Sequence, residues 1–190
     1  IDAMTYVSVG DWGGWDGPWH QGALFGDAET HPFSVDRKVK SLRAAGVPAR
    51  KIGIGIGLYG TGYGDANGDG QCPVSATGGW AGEGGPRVAD FDLQLDDIDR
   101  LYAPSMTRAF DPVARTPSLS APAPGVGGEA DGWPPKLCYI TYEDAQSARE
   151  KGAYVRARGL GAVILWAVPQ DRRKDGSYPV LRALAAGLGR

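Results

Sequence analysis

Three short apolar runs, separated by polar and glycine-rich segments, dominate the hydrophobic pattern of this chain. They are DAMTYVSV at residues 2–9, KIGIGIGLY at residues 51–59 and GAVILW at residues 161–166. Continuous apolar runs of this length are typical of strands that are buried on both faces of a parallel sheet. We therefore predict three buried parallel strands.

Three patterns with helical spacing complete the regular structure. The first follows Ser34, a candidate N-cap, and ends where Gly46 occupies a C-terminal cap position. The second runs from residue 142 to about residue 158 with Thr141 as its predicted N-cap, and the third covers residues 178–188. The order of strand, loop, helix, strand, insertion, helix, strand and helix predicts an α/β fold with parallel strands.

The second apolar run has two unlike faces. Alternation along a strand places its isoleucines and Leu58 on one face, and Gly53, Gly55 and Gly57 on the other. A face made of glycine indicates that another backbone or a ligand approaches the strand closely.

Residues 60–137 have no sustained helical period and are dense in Gly, Pro, Ala and Ser. Because an unstructured loop of that length is rare inside a compact domain, we predict a small inserted α+β subdomain there. Residues 89–102 are expected to contribute a strand or a short helix to it. The predicted organisation is a barrel portion at residues 1–59 and 138–190, interrupted by the subdomain at residues 60–137.

The length of the chain excludes a complete barrel, and its charge argues against certain classes of partner. The chain has 190 residues, whereas a complete eight-stranded α/β barrel takes about 250. It opens at Ile1 without an initiator Met, and we expect it to be the second part of an enzyme without its first part. A net charge of -2 and a pI near 5.7 make nucleic acid and anionic membrane surfaces poor partners. No apolar run approaches the roughly 18 residues of a membrane span.

Cys72 and Cys138, the only cysteines, lie near the two ends of the predicted insertion. A disulfide between them would close the insertion and would require an oxidising compartment. Two separate buried thiols are the alternative, because the distance between the sulfur atoms cannot be read from the sequence.

Taken together, the motifs resemble glycoside hydrolase family 18, the chitinases and chitinase-like lectins. The matching segments are MTY at residues 4–6, WDGP at 15–18, the long run at 35–63 that ends in GIGLYGTGY, and ITYEDAQSAREKGAYVRARGLGAVILW at 140–166. The resemblance implies a partial TIM (β/α)8 barrel whose strands are like the sixth to eighth of the family. It also implies that the insertion is the small α+β subdomain that walls one side of the cleft in many members.

The resemblance further implies a sugar-binding site. Tyr6 matches the tyrosine whose hydroxyl orients the N-acetyl group of the substrate, and Met4 matches a residue that lines the same subsite. Trp166 matches the tryptophan beneath the sugar ring, and Tyr59 a tyrosine near the same cleft. A flat apolar ring suits the C–H face of a pyranose. For a residue considered alone, core packing is the alternative interpretation.

The loop after the first strand supplies further candidates. Asp11 and Asp16 are the carboxylates nearest the presumed subsite, and either is expected to bind sugar hydroxyls unless it is simply a solvated turn residue. Trp15 belongs to a set of loop tryptophans expected at the mouth of the barrel. These residues extend a sugar groove or pack within their loops: Trp12, Trp15, Trp19 and Trp80.

The sequence predicts no metal site. Residues 65–70 match the first half of a calcium-binding loop, but Ala76 stands where the bidentate carboxylate would be. His20 and His31 lack the spacing of a helical metal pair, and we expect both to be solvated or at most to line the cleft. No cofactor is expected.

Two departures from the family pattern affect catalysis. The family's acid glutamate ends a DxxDxDxE motif that this chain lacks, and the nearest run of carboxylates, at residues 90–99, lies in the insertion. Val7 also stands where the family has an aspartate. Substrate-assisted retaining hydrolysis needs an acid for the leaving oxygen as well as an oriented acetamide. Only residues for orientation are present, so the isolated chain is expected to be inactive, whereas the resemblance implies that the parent protein is a family 18 glycosidase of the chitinase type.

The functional prediction is part of a secreted, extracellular chitinase-like hydrolase acting on β-1,4-linked N-acetylglucosamine polymers, with chitin or its oligosaccharides as partner. The alternatives are a non-catalytic chitin- or glycan-binding lectin on the same scaffold, and an inactive barrel fragment. Three parallel strands also leave two sheet edges and an apolar face uncovered, which predicts that the isolated chain either self-associates through those strands or is poorly ordered.

Overall fold

The structure is a computed structural model that describes residues 1–6, 19–28, 33–64, 88–125 and 137–190, and for residues 88–91 and 122–125 it describes the backbone alone. The strands, in chain order, are β1 (Asp2–Ala3), β2 (Gly53–Gly57), β3 (Tyr59–Tyr63), β4 (Val88–Gln94), β5 (Thr107–Asp111), β6 (Thr116–Gly125), β7 (Leu137–Thr141) and β8 (Ala162–Trp166). The helices are α1 (Val35–Ala44), α2 (Leu95–Asp97), α3 (Ala145–Ala157) and α4 (Pro179–Leu188), with 3-10 turns at Ala49–Lys51 and Val168–Asp171 and a π-helical turn at Ile98–Tyr102.

The three predicted strands form one parallel sheet in the order β1–β2–β8. The α/β arrangement with parallel strands is therefore confirmed. Within the described residues, these strands form an open sheet and do not close into a barrel. The described part of the first strand ends at Ala3, and residues 7–9 of the predicted run lie outside the described ranges.

The long helices begin and end largely where local sequence rules place them. Helix α1 follows Ser34, whose Oγ accepts a hydrogen bond from the Arg37 backbone N at 3.0 Å, and Gly46 beyond its end has a φ of +85°. Helix α4 covers almost the whole predicted range. Both predicted helices are confirmed.

The predicted N-cap of α3 is wrong. Thr141 ends strand β7, where it pairs with Thr61 and Ser118, so its backbone is committed to a sheet. Asp144 is the N-cap instead, because its Oδ1 accepts from the Ser147 backbone N at 2.8 Å. The Ser147 hydroxyl in turn accepts from the Asp144 N at 2.9 Å and completes a capping box.

The predicted strand at residues 51–59 is divided between two sheets. Leu58 makes the last bond to the parallel sheet, from its N to the Trp166 carbonyl at 2.7 Å. Tyr59 already pairs with Gln94 in an antiparallel sheet of order β4–β3–β7–β6–β5. One continuous apolar run therefore contributes residues to both sheets. The alternation of apolar and glycine residues along the run does not show where the first sheet ends.

The second sheet contains strands β4, β5 and β6 from the described part of the predicted insertion, together with β3 and β7, which pair with each other and lie at the start and end of the insertion in sequence. Residues 89–102 supply a strand and a short helical segment, as expected. The division of the chain into a barrel portion and a subdomain at residues 60–137 remains a prediction.

The apolar face of β2 forms the junction of the two main core clusters. Ile52 and Ile54 pack with residues of α1 and α3, including Val39 and Val155. Ile56 and Leu58 pack with α4 and with the inner face of the antiparallel sheet. The prediction of a buried third strand was wrong for β8, because among the described strands it pairs with β2 alone, and it is half-exposed.

Candidate functional site

Two tyrosines meet near the carboxyl ends of β1 and β2. The ring centroids of Tyr6 and Tyr59 are 6.4 Å apart, and the ring planes cross at 85°. Both side chains are buried. Burial, with a smaller contribution from the charge of Asp92, raises the pKa of the Tyr59 hydroxyl well above its ordinary value. Like an ordinary tyrosine, Tyr59 therefore carries a neutral hydroxyl at physiological pH, and burial makes its ionisation still less favourable.

The glycine face of β2 makes room for these rings. A Cβ atom at Gly57 would lie 2.8 Å from Tyr59 Cε1 and 3.2 Å from Tyr6 Cβ, and one at Gly55 would collide with the ring of Tyr6. The close approach that the sequence predicted is thus present. Neighbouring side chains make most of it, since the backbone contact is the Ala3 carbonyl, 3.1 Å from the same position at Gly55.

Trp166 is the exposed aromatic residue at this end of the parallel sheet. It ends β8, lies in register with Gly57, and leaves 59% of its surface exposed. Residues in register on adjacent strands share a face of the sheet. The indole therefore lies on the glycine face of β2, where the Tyr6 ring also packs.

The other predicted site residues are placed as follows. Met4 follows β1 and is 74% exposed. Asp11 and Trp15 lie outside the described residues, as do Val7, Trp12, Asp16, His31, Trp80 and the half-loop at residues 65–70. Trp19 is buried in a cluster with Ala23, Tyr63, Ala114, Cys138 and Tyr139, which is the loop-packing interpretation.

His20 is neither solvated nor open to the cleft, so that expectation was wrong. Its ring is buried, with Nε2 3.1 Å from Asp111 Oδ2 and Nδ1 3.4 Å from the Tyr139 hydroxyl oxygen. The histidine thus joins the first loop to strands β5 and β7. His20 and Asp111 are 91 residues apart in sequence, so no local sequence pattern predicts their contact.

A buried polar network beneath the tyrosines was also missed from the sequence. The Gln21 Oε1 accepts from the Thr61 hydroxyl at 2.8 Å, and the Gln21 backbone N donates to the Thr141 hydroxyl at 2.8 Å. The Gln21 Nε2 atom lies 2.6 Å from where a Gly57 Cβ would be. Gln21 therefore ties the loop after the first strand to both β3 and β7, directly under the aromatic pair.

A second connection links the turn after Trp166 to strand β4. The Gln170 Oε1 accepts from the Ala167 backbone N at 2.8 Å, and the Gln170 Nε2 donates to Asp92 Oδ1 at 2.6 Å. Asp92 lies two residues before Gln94, which pairs with Tyr59, at a point where the register between β3 and β4 shifts.

A buried ion pair supports the same loop from the other side. Lys151 Nζ binds Glu143 Oε1, and the Ser147 hydroxyl donates to Glu143 Oε2 at 2.6 Å. A Cβ at Gly22 would lie only 2.7 Å from Glu143 Oε1. Burial raises the pKa of Glu143, and the neighbouring ammonium opposes this shift.

Cys138 is disulfide-bonded and fully buried, and Cys72, the other cysteine of the chain, lies outside the described residues. Across the described ranges, no three His, Cys, Asp or Glu side chains are grouped so that they could hold a metal ion. In that same part of the chain, no helix has the length and apolar character needed to cross a membrane.

The side chains at this end of the parallel sheet have the chemistry of a binding surface. An exposed indole and two buried tyrosines, with Asp92 on the adjoining strand β4, offer an apolar plane and hydrogen-bonding groups, which is the composition of many ligand clefts. Its position at the carboxyl ends of parallel strands is where α/β barrels keep their sites. The class defined by this fold is an α/β protein in which an antiparallel sheet adjoins the carboxyl end of a parallel sheet.

The family is shown by sequence. The family model of Glycosyl hydrolases family 18 matches residues 1–171, and the chain belongs to this family. It is 26% identical over 149 residues to Chitinase A1 of Niallia circulans, covering 78% of this chain and 20% of that protein. It is 32% identical over 156 residues to the chitinase-like protein Idgf3 of Drosophila melanogaster, covering 73% of this chain and 34% of that protein.

Solved structures agree with the sequence comparison. A family 18 N-acetylglucosaminidase from Paenibacillus barengoltzii superposes with a TM-score of 0.70 at 25% identity, covering 98% of this chain and 48% of that one. The α/β fold therefore resembles that of family 18 chitinase domains. The chain spans 20% and 34% of the length of the two curated relatives named above and about half of the solved structure.

Proposed function

We propose that this chain forms part of the substrate cleft of a chitinase-type glycosidase that cleaves β-1,4-linked N-acetylglucosamine polymers by substrate-assisted retaining hydrolysis. The observation that carries the proposal is the exposure of Trp166 at the carboxyl end of β8, on the face against which Tyr6 packs. A large exposed aromatic ring at the mouth of a parallel sheet suits the apolar face of a pyranose. The three strands would then be the sixth to eighth of a barrel.

Each residue has a proposed role in this cleft. Tyr6, held by Gly55 and by the ring of Tyr59, orients the N-acetyl group. Trp166 forms the floor beneath the sugar, and Tyr59 and Met4 line its sides. Asp11 and Trp15 extend the rim. The acid that protonates the leaving oxygen would come from a part of the fold that this chain does not contain, so the chain alone would bind without turnover.

A second candidate is a non-catalytic glycan-binding protein on the same scaffold. Two observations favour it. Val7 replaces the aspartate of the family motif, and a relative at 32% identity is described as chitinase-like. The two candidates share the binding site and differ in chemistry only.

Secretion is part of the proposal. A disulfide at Cys138 requires an oxidising environment, and a polymer such as chitin is met outside the cell. The bridge would close the insertion if Cys72 is the partner.

Binding and turnover can be measured together with chitotriose and a fluorogenic chitobiose substrate. Removing the indole in Trp166→Ala should weaken chitotriose binding by about tenfold, which corresponds to about 1.4 kcal/mol. Val168→Ala changes a neighbouring exposed side chain and serves as the control, with affinity within about twofold.

Each outcome separates the candidates. The assays are run on the chain alone and on the chain together with the rest of the barrel. Binding without turnover in both samples would favour the non-catalytic protein, whereas turnover in the second sample would favour the hydrolase. Failure of the wild-type protein to bind chitotriose in either sample would overturn the proposal.

A further inference from the structure

The turn that follows Trp166 is fixed to the antiparallel sheet by one side chain with two hydrogen bonds. Gln170 accepts from the Ala167 backbone N at 2.8 Å and donates to Asp92 Oδ1 at 2.6 Å. The carboxamide therefore joins the residue directly after the indole to strand β4, across 78 residues of sequence.

The indole has little packing of its own to hold it, since 59% of its surface is exposed. Its position relative to the neighbouring sheet therefore depends on the backbone that carries it. On the strand side, β2 supplies that restraint through the Leu58 N–H and the Trp166 carbonyl at 2.7 Å. On the turn side, Gln170 supplies it.

The same connection reaches the tyrosine side of the cleft. Asp92 is two residues before Gln94, the residue of β4 that pairs with Tyr59. The charge of Asp92 also contributes to the raised pKa of the Tyr59 hydroxyl. One carboxylate on the strand that pairs with Tyr59 is thus bonded to the turn behind Trp166.

Other contacts join the turn to the antiparallel unit, by which we mean the antiparallel sheet with the helical segment at residues 95–102 that follows β4. These contacts involve residues farther along the chain than Gln170. The Lys174 backbone N donates to Asp96 Oδ1 at 3.3 Å, and Arg173 pairs with Asp99 at 3.0 Å. Neither includes the residue next to the indole. Gln170 is therefore the contact best placed to control where the ring lies.

We propose that Gln170 and Asp92 form a positioning pair that sets the separation between the Trp166 platform and the Tyr59 wall of the glycan cleft. The pair acts through the indole and does not itself react. The role in glycan binding rests on the proposed function above, whereas the effect on the indole does not depend on it. The antiparallel unit would in this way contribute to sugar affinity through a bond to the turn.

The test exchanges donor and acceptor. Gln170→Leu removes both hydrogen bonds, and Gln170→Glu sets a second carboxylate against Asp92. In the double variant Gln170→Glu/Asp92→Asn, the new carboxylate accepts from the Ala167 N and from the new amide, so the bridge is restored with its polarity reversed. Asp97→Asn is the control, since it alters an exposed ion pair with Arg100 in the same unit, 2.6 Å long, that does not reach the turn.

Two readouts are needed. The chain is labelled with 5-fluorotryptophan, and the fluorine resonance of Trp166 is assigned by its loss in Trp166→Phe. The dissociation constant for chitotriose is measured in parallel. We expect both single variants at Gln170 to shift or broaden the Trp166 resonance and to weaken binding by about five- to tenfold. The double variant should restore both, and the control should change neither.

Two results would overturn the proposal: an unaltered Trp166 resonance in Gln170→Leu, or a double variant that is no better than Gln170→Glu. A wild-type chain that fails to bind chitotriose would count against the proposed function instead. The fluorine spectra would in that case still decide whether the pair positions the indole.

Discussion

At the scale of single residues, Asp111 shows how a carboxylate becomes part of the fold. Its Oδ1 accepts from the backbone N atoms of Val113 and Ala114 at 2.7 and 2.8 Å, and its Oδ2 lies 3.1 Å from His20 Nε2. The bond with His20, followed by these backbone bonds, lowers the pKa of Asp111 to about 2 from an ordinary value of 3.8. Burial opposes the shift but does not cancel it.

The lowered pKa predicts a specific acid sensitivity. A group whose pKa is lower in the folded state stabilises the fold above its unfolded value and loses that contribution as pH falls through its folded value. The contribution of Asp111 should therefore be present above about pH 4 and be lost towards about pH 2. In Asp111→Asn, the free energy of unfolding, measured in urea at several pH values, should fall less steeply across that window than in the wild type.

Asp97→Asn provides the comparison, because this half-buried carboxylate pairs with an Arg100 side chain that is 44% exposed and pairs near the surface contribute little. Its acid dependence should match that of the wild type. Equal slopes for Asp111→Asn and the wild type would show that the pair with His20 does not stabilise the fold.

The side chains that support the site make long-range contacts, which local sequence patterns do not predict. The partners of Gln21 are 40 and 120 residues away, and Asp92 is 78 residues from Gln170. No local rule relates such positions, since they meet only after both sheets have formed. Trp166 and Tyr6 were identified because the family motif carries them, whereas the side chains that hold them in place belong to no motif.

At the scale of elements, helix α3 and the residue before its N-cap form a buried polar row. Ser147 and Lys151 lie four residues apart on the inner side of α3, and Glu143, which precedes the N-cap Asp144, binds both of them. Two polar residues at helical spacing on the inner side of a helix are a signal that could have indicated a buried pair. The pair packs against Gly22 and so determines how closely the first loop approaches the helix.

Breaking this pair should be costly. Lys151→Met leaves a buried carboxylate without its cation, and we expect a loss of about 3–5 kcal/mol in the free energy of unfolding. Glu143→Gln/Lys151→Met removes both charges and should recover a large part of that loss. Lys40→Met is the matched control, because its pair with Asp36, 2.6 Å long, involves a lysine that is 71% exposed, and it should cost no more than about 1 kcal/mol.

Chemical denaturation of the wild type, the two single variants and the double variant measures whether the buried pair stabilises the fold. If Lys151→Met proved no more harmful than Lys40→Met, the buried pair would not be a determinant of stability. If the double variant were as unstable as the single one, the loss would come from packing around the lysine stem and not from the stranded charge.

Helix ends and strand ends differed in how well the sequence predicted them. Ser34 and Gly46 were identified because capping depends on residues within a few positions of each other. Thr141 has the same capping chemistry as Ser34, but its pairing with Thr61 and Ser118 keeps it in a strand. The change of sheet at Leu58 likewise depends on which strand lies opposite, and the apolar alternation continues through it unchanged.

At the scale of the whole molecule, the parallel sheet has two outer strands. In the described residues, β1 and β8 each pair with β2 alone. Exposed apolar side chains lie at or next to these two strands, with Ile1 at 62%, Met4 at 74% and Trp166 at 59%. Unpaired backbone groups beside an apolar face are a ready template for pairing with another strand.

These edges predict self-association of the isolated chain. Sedimentation velocity should show a mass that rises with concentration, and the melting temperature should rise with it, since association stabilises the folded state by mass action. Ala162 lies at the start of β8 and is exposed, so Ala162→Lys places a charge at the edge and should shift the equilibrium towards monomer. Ala186→Lys adds the same charge to an exposed position of α4, away from the sheet edge, and should leave association as it is.

A wild-type chain that stays monomeric with a melting temperature independent of concentration would show that the edges are already covered. Equal effects of the two lysine variants would mean that added charge, and not the edge of β8, controls the assembly.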